Sequence, residues 1–245
     1  MKKSLSAIFY SLLLIFSVTS RAEFPSQPLA NLGNLAALLA NPGKSYVEEE
    51  LYDPNGRIFS NLPVQDSARG ETADQLARLL SGGSEPLRQR LVVNFLKNRD
   101  RFMQNLSSNN YVANDMGVAY AVSFVLFWEL ASNGELTQSA SDKAAKFLVH
   151  RFRSTNKEYA NITLEDKAKA YDWLITAPVA IATLIMAYEK AGRGQEVKML
   201  RDASASMFVN AFKIPHDMLE ISESGELHLD SEKVLAYQKR HALDR

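Results

Sequence analysis

The sequence contains no cysteine. Disulfides are therefore impossible, as are thiolate ligation of zinc and lipid attachment to a cysteine thiol. A charge excess is missing too, since 28 basic residues face 28 acidic ones. A nucleic-acid binder is expected to show a basic footprint, so no nucleic-acid partner is expected. Nor does any uncharged apolar run reach the ~20 residues that a bilayer span needs.

The usual catalytic signatures are also absent. None of the four histidines, His150, His216, His228 and His241, lies in a His-Glu-x-x-His helix. His216 and His228 share a segment with Glu220, Glu223, Glu226 and Asp230, but that spacing fixes no coordination geometry and reads as solvated loop. Glu48-Glu49-Glu50 likewise reads as a solvated patch. There is no Gly-x-Ser-x-Gly elbow. Ser81-Gly82-Gly83-Ser84 lacks the Lys-Ser/Thr ending of a phosphate loop and reads as a helix junction. Asp115 and Glu129 would share a helix face, but about 21 Å apart along the axis, beyond the reach of a glycosidase pair. Asn105-Leu106-Ser107 and Asn161-Ile162-Thr163 match glycosylation acceptors by coincidence, beside a start of bacterial type. No catalytic, cofactor-binding or metal-ligating residue is assigned, and the reading leans away from an enzyme.

What is present begins with an export signal. Lys2 and Lys3 precede the uncharged run Ala7 to Val18, which is too short for a membrane span and suits a signal-peptide core. Ser20-Arg21-Ala22 places small residues where a signal peptidase reads them, so cleavage is expected between Ala22 and Glu23. The signal peptide is thus 1–22. Its removal takes Lys2, Lys3 and Arg21 and leaves 25 basic against 28 acidic residues, a net of −3. About 220 residues remain, enough for one sizeable hydrophobic core. A periplasmic or secreted protein with no stable membrane anchor after cleavage is expected.

Residues 23–70 read as a loop-rich N-terminal segment. Leu29, Leu32, Leu35 and Leu39 have helical spacing up to Asn41-Pro42-Gly43. From Lys44 to Gly70, Asp53-Pro54-Asn55-Gly56 and Pro63 indicate turns and a linker.

Residues 71–245 read as a helical domain. One short helix covers Ala73 to Leu80 and stops at Gly82-Gly83. The next starts at Ser84, with Pro86 in its first turn and Leu87, Leu91, Phe95, Phe102 and Leu106 on one face. Arg88 and Arg99 fall inside that apolar arc. Two accounts are open: Arg88 snorkels near the start and the helix bends around Asn98, or a buried arginine pairs with a carboxylate. Asp115, Glu129 and Asp172 are the candidate partners.

Asn114 is the expected cap of the following helix, which runs to Asn133-Gly134. No charge lies between Asp115 and Glu129, nor between Asp172 and Glu189. Both runs are apolar around most of their circumference, as buried helices are. They are expected to form the central pair of a bundle, with Trp128 and Trp173 in or near its core and a bend at Pro178. Thr137 or Ser141 opens a helix holding Phe147, Leu148 and Phe152, and Thr163-Leu164-Glu165-Asp166 resembles a capping box. Val197, Leu200, Met207, Phe208 and Phe212 mark another helix, stopped by Pro215. His216 to Asp230 reads as irregular or briefly extended, and a polar helix follows from Ser231. The expected fold is all-α, a helical bundle of about six to seven helices with two largely apolar central ones.

The stretch NDMGVAYAVSFVLFWELASNG, with Ala119-Tyr120-Ala121, Trp128 and Asn133-Gly134, resembles a signature of an exported bacterial family, domain of unknown function 6683. Gly192, Gly194, Leu200 and Arg201 extend the resemblance, which covers about 85–230. It implies an exported helical protein and no particular activity. Three functions follow as expectations: a binding or interaction protein with an envelope or secreted protein partner, an envelope-directed hydrolase built from scattered polar residues, or a carrier of a small apolar ligand beside Pro178.

Overall fold

The structure is a computed structural model that describes residues 51–153, 159–230, 232, 233 and 236. The signal peptide, its cleavage point at Ala22 and Glu23, the Leu29–Leu39 helix, His241 and most of the helix expected from Ser231 lie outside the described residues. The described residues hold six α-helices of ten residues or more: α1 (Glu71–Leu80), α2 (Glu85–Ser108), α3 (Met116–Ser132), α4 (Gln138–Phe152), α5 (Leu164–Lys190) and α6 (Gly194–Phe212). A 3-10 turn, His216–Met218, leads into an antiparallel hairpin of β1 (Leu219–Ile221) and β2 (Leu227–Leu229). The all-α class is as expected, and the short extended pair falls in the segment where brief extension was expected.

Local chemistry explains where the helices begin and end. The Thr137 side chain accepts the Ala140 N–H and opens α4, and Thr163 accepts the Asp166 N–H and opens α5. Asp166 in turn accepts the Thr163 hydroxyl at 2.7 Å. Asn133 adopts the left-handed conformation that ends α3. The cap of α3 is Asp115, whose carboxylate accepts the Val118 N–H at 2.9 Å; Asn114, the expected cap, is exposed one position earlier. An aspartate at this position adds its charge to the positive end of the helix, which an asparagine cannot.

α3 and α5 form the central pair. Every residue of α3 from Met116 to Val125 is buried, and the most apolar 18-residue window of α5 is 72% buried. By length and composition α5 alone, among the described helices, could cross a bilayer; here that apolar surface is turned into the fold. Phe127 of α3 stacks on Trp173 of α5 with ring centroids 5.4 Å apart. Tyr120 and Phe124 meet Phe152 of α4 and Phe208 and Phe212 of α6 at centroid distances from 4.2 to 4.9 Å. Such ring pairs add roughly 0.5–1.5 kcal/mol each beyond the area they bury.

The segment before α1 is irregular, as expected, yet it is no linker from Leu51 onward. Leu51, Ile58, Leu62 and Val64 belong to the main core. The packing unit therefore starts at least twenty residues before the boundary expected at 70/71. Backbone bonds lace this segment to the α2–α3 connection: Ile58 N–H to Asn110, Val112 N–H to Ile58, Met116 N–H to Leu62. Gly117 permits the close approach, because a Cβ there would collide with the Ser60 side chain.

α5 runs unbroken through Pro178, which lacks the N–H that would bond the Leu174 carbonyl four residues earlier. Ser123 of α3 donates its hydroxyl to that same carbonyl. The proline thus leaves an acceptor inside the core, and the partner helix fills it. Replacing Ser123 with alanine should cost about 1–3 kcal/mol, the usual penalty for a stranded buried acceptor. In a Pro178→Ala background, where the new alanine supplies its own N–H, the same change should cost well under half as much. Urea unfolding of the four proteins checks this; equal costs in both backgrounds would show that the two residues are not coupled.

Candidate functional site

The five residues expected to form ion pairs behave in four different ways. Arg99 is 2% exposed and bridges two carboxylates, Asp66 at 2.5 Å and Asp172 at 3.4 Å. Its Nε–H also bonds the Thr176 hydroxyl at 3.1 Å. The buried-arginine account therefore holds for Arg99, with Asp172 among the expected partners and Asp66 an additional one. Asp172, wholly buried, further accepts the Gly70 N–H at 3.2 Å, the Thr72 N–H at 2.9 Å and the Thr176 hydroxyl at 3.1 Å. It thereby supplies from α5 the cap that α1 lacks, since Gly70 (φ 98°) has no side chain to offer.

Arg88 is half-buried and pairs with none of the expected carboxylates. It binds Asp74 of α1 at 2.6 Å and Glu85 at 2.9 Å, which brings the starts of α1 and α2 together. Among the described residues Asp115 meets no arginine either. Its four partners are donors: Ser60 N–H (3.1 Å), Ser60 hydroxyl (2.5 Å), Leu62 N–H (3.1 Å) and Val118 N–H. Burial pushes its carboxyl above the usual range, and these hydrogen bonds oppose the shift. Arg99, Asp172 and Asp115 are thus absorbed in holding elements together.

Glu129 is different. It lies on α3 and accepts the Leu136 N–H at 3.1 Å; among the described residues no cationic group pairs with it. It faces an open cleft of ≈ 230 Å³ between α2, α3 and α4. The cleft exists because α2 packs principally against α1 and α5 and only lightly on α3 and α4. Each wall is one helical stripe at i, i+3, i+4, i+7 spacing. α2 with its C-cap Asn109 contributes Phe102, Asn105, Leu106 and Asn109, α3 contributes Val122, Val125, Leu126 and Glu129, and α4 contributes Gln138, Ser141, Asp142 and Ala145. Leu106, Val122, Val125 and Ala145 are buried and make an apolar floor, while Asn105, Asn109 and Gln138 are exposed and make a polar rim. Asp142 is engaged, accepting the Tyr111 hydroxyl at 2.6 Å and pairing with Lys146 at 2.9 Å.

The cleft was not foreseen in the sequence, where Glu129 appears only as a candidate arginine partner and as one of two carboxylates too far apart for a glycosidase pair. At the contact of α3 and α5 near Pro178, expected to hold an apolar ligand, lie the Ser123–Leu174 bond and the Phe127–Trp173 stack. Among the described residues no group of three or more His, Asp or Glu side chains could hold a metal ion. His228 approaches Glu226 at 3.8 Å, both exposed on the hairpin.

Compared with protein-family models, curated proteins and solved structures, the chain matches none. The chemistry of the cleft is therefore read from its own residues: an apolar slot with the Glu129 carboxylate free of a cationic partner among the described residues, a second carboxylate, Asp142, engaged by Tyr111 and Lys146, and neutral amides around the mouth.

Burial raises the Glu129 carboxyl above the ordinary range, and the nearby Glu135 carboxylate adds to the shift. A raised folded value means that ionisation is resisted by the fold. Stability is then complete below the unfolded value and declines as pH rises through the folded one. Glu129→Gln keeps the acceptor for Leu136 N–H and removes the charge. The wild type should match the variant near pH 4 and fall behind it by pH 7, as chemical denaturation across that range would measure. A constant difference would mean that Glu129 titrates like a solvated acid.

Proposed function

We propose that this chain is an exported binding protein of the bacterial envelope that engages a protein partner through the α2–α3–α4 cleft. One observation carries the reading: three helix faces bearing polar side chains stand apart beside a core of interlocking rings and aliphatic groups. Open space beside an uncompensated carboxylate costs dispersion contacts and solvation, and a partner filling it would recover both. Export is supported by Lys2, Lys3, the apolar run to Val18 and the small residues at Ser20 and Ala22. The resemblance to domain of unknown function 6683 points to the same compartment, periplasmic or secreted. The burial of the apolar face of α5 within the fold supports a water-soluble mature protein with no membrane anchor. The near-balanced charge gives no footing for nucleic acid.

An envelope-directed hydrolase is the second reading, favoured by two carboxylates, Glu129 and Asp142, on one cleft. Asp142 is committed to Tyr111 and Lys146, which leaves Glu129 without a second free acid among the residues lining the cleft.

Two measurements on one tagged protein test the proposal. Fractionation of a bacterial host should place the mature form in the periplasm or medium, with Glu23 as its first residue. A photo-crosslinking side chain at Asn109 or Gln138 should then capture one envelope protein that the same group at Val93, 63% exposed outside the cleft, does not. A precursor retained in the cytosol, or equal capture from all three positions, would contradict it.

A further inference from the structure

We infer that the cleft is a socket for a lysine side chain of the protein partner, with the ammonium group seated against Glu129. The inference rests on the binding role proposed above and adds the chemistry of what binds.

Three features of the cleft select that group. The first is size. At ≈ 230 Å³ the space is smaller than the ~300–1,000 Å³ of pockets that enclose whole small ligands, and it is open to solvent on one side. That suits one long side chain entering from a partner surface. The second is the order of the chemistry along the slot. Leu106, Val122, Val125 and Ala145 line a greasy passage, and Glu129 stands on the same stripe of α3 at i+7 from Val122 and i+4 from Val125. An aliphatic stem with a charged tip matches this sequence of surfaces, as lysine side chains do when they lie along apolar groups.

The third is the valence of Glu129. One carboxylate oxygen already accepts the Leu136 N–H at 3.1 Å, and no cation of the chain itself is paired with the group among the described residues. A guanidinium prefers both oxygens of a carboxylate in a planar fork, whereas an ammonium is a point charge that needs only one. The remaining ammonium protons can meet the amide oxygens of Asn105 or Gln138 at the rim or the Ser141 hydroxyl. Burial resists the charge on Glu129 in the empty cleft, so a seated ammonium would relieve it and bind the more tightly for doing so.

The probes are three blocked tripeptides, acetyl-Gly-Xaa-Gly-amide with Xaa lysine, arginine or norleucine, together with n-butylammonium. Binding to the mature protein is followed by NMR at the Val122 and Val125 methyl groups. The lysine peptide should move both signals and bind about tenfold more tightly than the norleucine peptide, which has the stem without the charge. Glu129→Gln, which retains the Leu136 hydrogen bond, should erase that preference while leaving norleucine binding unchanged. Arginine should bind more weakly than lysine. Equal binding of lysine and norleucine, or survival of the preference in Glu129→Gln, would overturn the ammonium assignment while leaving the cleft as a binding site. n-Butylammonium binding as tightly as the lysine peptide would overturn the protein side chain as source and point to a free amine. Silence of both methyl groups with every probe would overturn the inference outright, whereas the wider proposal stands or falls on fractionation and crosslinking.

Discussion

A single carboxylate, Asp172, sits where three helices must agree. It receives Arg99 from α2, the Gly70 and Thr72 N–H groups at the start of α1 and the Thr176 hydroxyl of its own helix, with its own side chain wholly buried. Removing both charges from solvent is costly, and such a pair adds little net stability over apolar side chains of the same size. Its consequence is positional. Sliding α2 by one turn along α5 would strand a buried guanidinium and a buried carboxylate together, a loss of about 3–5 kcal/mol or more. The apolar surfaces of α2 and α5 could slide; the ion pair cannot.

Asp115 does for the start of α3 what Asp172 does for the start of α1. Its four donors come from the Ser60–Leu62 segment and from the first turn of α3, so that segment is fastened to the helix it covers. The Tyr159 hydroxyl adds a bond to the Pro63 carbonyl at 2.6 Å, and the Tyr171 hydroxyl bonds the Ala113 carbonyl. α3 itself packs against α4, α5 and α6. Because Asp172 and Arg88 draw α2 toward α5 and α1, its C-terminal half stands off from α3 and α4. The cleft is thus a product of where the buried charges are placed.

Much of the helical layout was legible in the sequence because it depends on local chemistry. The two uncharged runs, the Thr137 and Thr163 caps, the Asn133 stop and the tolerated Pro86 all act within a few residues of themselves. Arg99 could be singled out because a cation inside an apolar arc demands an explanation, and Asp172 could be proposed because it borders an apolar run. Asp66 could not, since it lies in an irregular segment whose position depends on tertiary contacts. For the same reason the burial of Leu51, Ile58 and Leu62 was hidden: proline and asparagine mark turns but do not say what the turns pack against. The cleft left only a faint trace, in polar residues that fall on otherwise apolar stripes of α2, α3 and α4. Periodicity marks such a stripe as a contact face, and a gap between two contact faces looks no different from a contact.

Asp172 is thus the lock that holds α1, α2 and α5 in one arrangement. Asp172→Asn is nearly isosteric but presents an amide NH₂ to a site where Gly70, Thr72 and Arg99 all donate. Urea unfolding combined with amide hydrogen exchange on this variant reads the lock directly. The expected loss is about 3–5 kcal/mol, with protection at Thr72 and along α1 falling first. A loss below about 1 kcal/mol with α1 as protected as before would contradict it.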